Sequence, residues 1–113
     1  MYFKLVLVSV GLICVGVASG GSTRYCHDCV GRTDTSPKDF SNCRNYVNVT
    51  KNDDCSSQAY CISKLGTETR NKVTVEIAVR MCSDRNCEWQ RKYNAGEKYC
   101  SECQSDYCNN DKF

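Results

Sequence analysis

A single small β domain stitched by disulfides is the fold class that the sequence predicts, on three observations. Cysteine is abundant, with eleven in 113 residues. Large apolar side chains are scarce. The longest periodic stretch, VTVEIAVRMC at 73 to 82, alternates apolar and polar residues with the two-residue period of a strand.

The cysteine count is read through the N-terminus, because compartment decides whether thiols stay free. MYFKLVLVSVGLICVGVASG sets Lys4 ahead of an apolar run from Leu5 to Val17 and ends in the small residues Ala18-Ser19-Gly20, the pattern of a secretory signal peptide. A membrane-crossing helix needs about 20 apolar residues, more than this run supplies. Cleavage after Gly20 is expected, which makes residues 1–20 a leader and 21–113 one domain, secreted and extracellular. Cys14 leaves with the leader. An even ten cysteines remain in 93 residues, the composition of a disulfide scaffold in an oxidising compartment.

The core leads to the same conclusion. Tyrosines aside, residues 21–113 hold thirteen large apolar side chains, from Val30 to Phe113. Their burial is too small to offset the entropy of ordering the chain, so covalent links are needed. The same span carries 14 Lys and Arg against 13 Asp and Glu, with the signs interspersed. No basic block marks a nucleic-acid binder or a polybasic membrane surface.

Two Cys-x-x-Cys steps, Cys26/Cys29 in YCHDCV and Cys100/Cys103 in CSECQSDYC, raise other chemistries. A zinc ribbon uses two such pairs but leaves no surplus of six further cysteines, which an oxidising compartment would convert to disulfides. A redox pair needs a helix start in a βαβ setting, and haem attachment needs histidine where Val30 stands. His27-Asp28 faintly resembles the catalytic pair of secreted phospholipases, without their paired cysteines upstream or their glycine-rich calcium loop. His27 is the only histidine and reads as a partly exposed turn residue beside a bridge. No metal, cofactor or catalytic residue is expected, and the two steps read as ends of separate disulfides.

Along the chain, GRTDTSPKDFSNC (31 to 43) reads as an exposed loop and NYVNVT (45 to 50) as a short strand. Asn48-Val49-Thr50 is an N-glycosylation acceptor. CSSQAYCISKLG (55 to 66) runs from a turn into a strand, and with 73 to 82 it forms a long hairpin whose tip lies near Thr67 to Lys72. Val73, Val75, Ile77, Val79 and Met81 share one face of the second strand, opposite Cys82. That row is left partly exposed unless a bulge shifts the register. The stretch from Trp89 to Tyr99, around Asn94-Ala95-Gly96, reads as a shorter third hairpin or loop, with Trp89, Arg91 and Lys92 as a possible interface anchor.

Cys26-x-x-Cys29, the Cys55-Ser-Ser-x-x-x-Cys61-Ile62 stretch and the closing Cys103-x-x-x-x-Cys108-Asn109, with ten cysteines in the same order, resemble the Ly6/uPAR or three-finger domain family over the whole of residues 21–113. The resemblance implies an all-β fold of three β-hairpin fingers projecting from a five-disulfide knot. It implies the pairs Cys26–Cys61, Cys29–Cys43, Cys55–Cys82, Cys87–Cys100 and Cys103–Cys108. Two departures stand out: Ser101 and Glu102 separate cysteines that are adjacent in most members, and the stretch from Cys43 to Cys55 is long. Members of the family bind proteins rather than catalyse reactions, and include modulators of nicotinic receptors and ion channels. Many are held on membranes by a glycolipid that needs an apolar tail. With five residues after Cys108, this chain resembles the soluble secreted type.

The expected function is therefore non-enzymatic binding of an extracellular protein, a membrane receptor or channel, without nucleic acid and without a direct membrane anchor. The expected contact surface is the middle finger: Thr67, Glu68, Thr69, Arg70, Asn71 and Lys72 at the tip, with Arg70 and Lys72 steering, and Val75, Ile77 and Val79 of the apolar row as the second candidate. The alternatives are a small phospholipase-like hydrolase using His27-Asp28 and a toxin-like or antimicrobial membrane effector.

Overall fold

The long hairpin is the frame on which everything else is laid. The computed structural model describes residues 23–113, so the expected leader and its cleavage site lie outside the described residues. In chain order the elements are β1 (Thr23–His27), β2 (Cys29–Arg32), α1 (Pro37–Asn45), β3 (Asn52–Ser56), β4 (Tyr60–Arg70), β5 (Val73–Ser83), α2 (Cys87–Tyr93) and β6 (Glu97–Cys103). All pairings are antiparallel. β1 pairs with β3, and the second sheet runs β2-β5-β4-β6. The domain is thus mostly β, with two short helices and five disulfides.

β4 and β5 are paired without a break from Tyr60–Ser83 to Arg70–Val73. Asn71 and Lys72 close the hairpin alone, with φ of 50° and 66°. Two successive left-handed residues make the type I′ turn whose twist matches the strands. The tip is therefore two residues long rather than the expected 67 to 72, and Thr67 to Arg70 belong to the ladder.

Residues 31 to 43 are not a loop. Pro37 opens α1 in its first turn, where an N–H would go unpaired, while Asp39 and Arg44 sit at the ends that suit their charges. Phe40 and Cys43, three apart, bury one face against the sheet with Leu65 and Ala78. Cys43 is also bonded to Cys29 on β2. The helix lies so close that a Cβ on Gly31 would run into the backbone of Asp39 and Phe40. Only glycine fits there. α1 stops where Tyr46 turns left-handed at φ 55°, and Asn48 repeats that turn. The alternation of NYVNVT therefore forms no strand, and β3 starts later, at Asn52.

The expected third hairpin is also replaced, by a helix followed by a strand. Asn86 caps α2, its Oδ1 accepting the Trp89 N–H at 3.0 Å. Trp89 and Tyr93, four apart, stack with centroids 4.9 Å apart. α2 then covers Ile62, Cys87 and Cys100, a second small core on the opposite sheet face from α1. Gly96, at φ 88°, lets the chain turn into β6 against Thr67.

The five disulfides join Cys26–Cys61, Cys29–Cys43, Cys55–Cys82, Cys87–Cys100 and Cys103–Cys108, with Cα atoms 5.2 to 6.4 Å apart. These are the pairs set out from the resemblance. By the chain-entropy model the loop of 35 residues closed by Cys26–Cys61 is worth about 4 kcal/mol.

A polar network completes the base. Arg80 is fully buried. It donates to the carbonyls of Cys43 (2.8 Å), Asn109 (2.9 Å) and Arg44 (3.3 Å) and to Ser63 Oγ (3.1 Å). Two of those carbonyls lie in the last turn of α1, where the helix itself leaves them unpaired. The guanidinium is flanked by the rings of Tyr46 and Phe113 at 5.3 and 5.0 Å. Asn109, also buried, donates to the carbonyls of His27 and Ile62 and accepts the His27 N–H, tying the two sheets together. Asp111 accepts from Ser63, Tyr99 and Ser101 at 2.7, 2.5 and 2.7 Å. Burial pushes its carboxyl up, but those three hydrogen bonds outweigh it and hold it below the usual carboxylate range. The C-terminal residues thus form part of the core.

Candidate binding surface

Past the base, the middle hairpin stands alone. β6 accompanies β4 only as far as Gly66, and β2 accompanies β5 only as far as Ile77. The Thr67–Glu76 pair is still bonded on both sides, the Thr67 N–H to the Gly96 carbonyl at 2.8 Å and the Thr33 N–H to the Glu76 carbonyl at 3.0 Å, and the last three pairs, Glu68–Val75 to Arg70–Val73, have no flanking strand among the described residues. Strand periodicity then decides what each side presents.

On one side, Glu68, Arg70, Val73 and Val75 surround a shallow cavity of about 270 Å³ that Arg32 and Asp34 complete from the first excursion. Glu68 accepts from Arg32 at 3.0 Å and from Arg70 at 2.7 Å, while Arg32 also reaches Asp34 at 3.1 Å. The hydrogen bond from Arg32 holds the Glu68 carboxyl below its ordinary range, and the bond to Asp34, then that to Glu68, raises the Arg32 guanidinium. Arg70 is thereby braced with 76% of its side chain still in solvent. Lys72, exposed at the turn, makes no ion pair among the described residues. Of these two cations, Lys72 is the unpaired charge among the described residues and Arg70 the oriented one. Thr69 hydrogen-bonds Thr74 across the ladder at 3.1 Å, and Asn71 occupies the turn.

The apolar row divides. No bulge interrupts β4–β5, so Cys82 keeps its face with Ala78 and Arg80, and that face is the buried one because α1 and the C-terminal residues lie on it. Val73 is exposed, Val75 is buried beneath the tip cavity, and Ile77, Val79 and Met81 are half-buried. Ile77 and Val79 line a second groove of about 230 Å³ with Lys64, Thr67, Asn94 and Glu97. Thr67 itself is held there, its N–H and hydroxyl both donating to the Gly96 carbonyl at 2.8 and 3.2 Å. Seven of the nine expected contact residues thus fall into two places, Glu68, Arg70, Asn71 and Val75 at the tip cavity and Thr67, Ile77 and Val79 at the second groove, while Thr69 and Lys72 line neither. Arg32 and Asp34 were missed, since nothing local to Arg32 signals a partner 36 residues away.

His27 is a buried strand residue, not an exposed turn residue. Its Nδ1 lies 3.2 Å from Asn52 Oδ1 and its Nε2 3.1 Å from the Tyr46 hydroxyl, so both ring nitrogens are hydrogen-bonded within the fold. Asp28 turns instead to Lys51, at 3.5 Å. Trp89 is half-buried, its ring under the Arg85 guanidinium at 5.3 Å, and Arg91 is spent on the Cys100 carbonyl. Trp89 therefore packs with Arg85 and Tyr93, and Lys92, its ammonium 5.4 Å from the Tyr93 ring, borders the hollow they line. Asn48 and Thr50 are exposed. Among the described residues no group of three His, Cys, Asp or Glu is placed to hold a metal ion, and no helix is long and apolar enough to cross a membrane. No family model, no curated protein and no solved structure matches the chain.

Proposed function

We propose that this is a secreted, non-enzymatic binding module of the three-finger type that engages an extracellular protein, a membrane receptor or channel, through the tip of its middle hairpin. The observation that carries this reading is the three-rung overhang, Glu68–Val75 to Arg70–Val73, ending in Asn71-Lys72 and presented from a base locked by five disulfides. A contact surface fixed before docking loses little conformational entropy on binding. The braced Arg70, the free Lys72 and the exposed Val73 offer a partner two positive charges beside an apolar contact, a combination that suits an acidic, aromatic-lined site. The two-stranded sheet β1-β3 standing beside the sheet that carries the hairpin is consistent with the three-finger plan, in which the first and third fingers are shortened by α1 and α2.

The test is saturation binding of the labelled, refolded chain to cells, comparing wild type with Arg70→Ala/Lys72→Ala. The reading predicts at least a tenfold loss, about 1.4 kcal/mol. An unchanged affinity would remove the tip from the contact. Lys38→Ala/Lys112→Ala, at two exposed cations away from the tip, serves as the control and keeps wild-type affinity.

A further inference from the structure

We infer that Asn48 carries an N-linked glycan whose first sugar packs over a hollow of mixed apolar and polar lining beside α1, so that the glycan covers the flank of the domain and leaves the hairpin tip as its open face. This goes beyond the binding reading and shares with it only passage through the secretory pathway. Three observations carry it. Asn48-Val49-Thr50 has the acceptor pattern, and both Asn48 and Thr50 are exposed. The loop reaches solvent because Tyr46 and Asn48 both adopt left-handed backbone, a conformation asparagine tolerates. Asn48 also lines a cavity of about 290 Å³, so a sugar bonded to its Nδ2 starts at the mouth of that cavity.

The lining suits a sugar. Val30 and Val47 are 61% and 47% exposed, an apolar surface that nothing else in the described residues covers. The ring's C–H face and the acetamide methyl of N-acetylglucosamine would bury against them. Asp28, Asp39, Asn42 and Lys51 stand around the hollow with carboxylates, an amide and an ammonium for the sugar's hydroxyls. In the transfer itself the anomeric carbon breaks its bond to the pyrophosphate of a lipid-linked donor and bonds to Asn48 Nδ2, whose proton leaves with the pyrophosphate.

The experiment expresses the full chain in a eukaryotic secretory host beside Thr50→Ala and Asn48→Gln. Peptide mapping is expected to place the glycan on Asn48 and to find none on either variant. Thr50→Ala is at an exposed position and leaves Asn48 with its left-handed backbone in place, so folded protein is expected from it even where Gln strains position 48. Hydrophobic-dye fluorescence is expected to rise several-fold in the variants, and the methyl signals of Val30 and Val47 to shift. An unmodified Asn48 in the secreted wild type overturns the inference. A glycan whose loss changes neither dye binding nor those methyl signals overturns the covering role. Tip-dependent binding should survive in the variants, so failure here leaves the proposed function standing, and failure of the tip test leaves this inference standing.

Discussion

Replacing Arg80 by methionine removes the guanidinium while keeping most of its length, so little cavity is opened and the cost isolates the polar network. Four hydrogen bonds go, with the ionic contact to Asp111 at 3.6 Å. The carbonyls of Cys43 and Asn109 and the Ser63 hydroxyl stay where they are, as does the partly buried Asp111 carboxylate. Whole buried ionic networks can be exchanged for apolar groups at no cost, but stranding the partners of one deleted charge costs about 3–5 kcal/mol. That range is expected here, with a loss near its lower end if water reaches Arg44, the most weakly bonded partner. Guanidinium unfolding of the disulfide-intact protein, followed by Trp89 fluorescence, reads the difference directly. A loss below about 1 kcal/mol would show that the network does not hold α1 and the C-terminal residues to the sheet. Arg80→Lys should fall between the two, since an ammonium cannot reproduce the planar fork.

Asn109→Ala removes the clamp between the sheets and should cost about 2–4 kcal/mol in the same assay, with added amide exchange at His27, whose N–H loses its acceptor. Asp111 has a folded-state pKa below its unfolded value, so its contribution is complete above the ordinary carboxylate range and is lost as pH falls through the lowered value. Asp111→Asn should flatten that acid limb of the stability profile. Glu97 is the reverse case: its side chain is 5% exposed, the carboxylate oxygen that faces Lys64 at 4.0 Å has no hydrogen-bond partner, and burial pushes its carboxyl up against the opposing pull of Lys64 and Arg91. Its contribution is best below the unfolded pKa and worsens as pH rises through the folded one, so Glu97→Gln should gain about 1 kcal/mol at neutral pH and nothing in acid. Lys72→Gly relieves a left-handed non-glycine residue and should stabilise the hairpin by about 1 kcal/mol while weakening cell binding, separating fold from contact at one position.

What the sequence made legible was local. The alternation from Val73 to Met81 and the polar stretch after Gly66 identified the middle hairpin, because a two-residue period needs no distant partner to be read. The tip was misplaced because Asn71-Lys72 lacks the glycine that usually marks a type I′ turn. α1 was missed since a nine-residue helix with Pro37 at its start shows only Phe40 and Cys43 as a face, and its stability comes from docking on Gly31 and Ala78 rather than from its own propensity. Ser36, Asp39 and Arg44 were the available signals. The strand expected at 45 to 50 failed for a related reason: ending the helix required left-handed residues at Tyr46 and Asn48, and that overrode the alternation. Arg80 was not singled out, because its partners, Cys43, Ser63 and Asn109, are 37, 17 and 29 residues away. The same distance hid Arg32 and Asp34 from the candidate surface.

The account depends on covalent links, rather than a large apolar interior, holding the base from which the hairpin projects. Non-reducing peptide mapping of the secreted protein, after alkylation under native conditions, tests this most directly. Five linked peptide pairs are predicted, Cys26 with Cys61 among them, and no alkylated cysteine from residue 26 to 108. Several alkylated thiols, or stoichiometric zinc in the native protein, would contradict it.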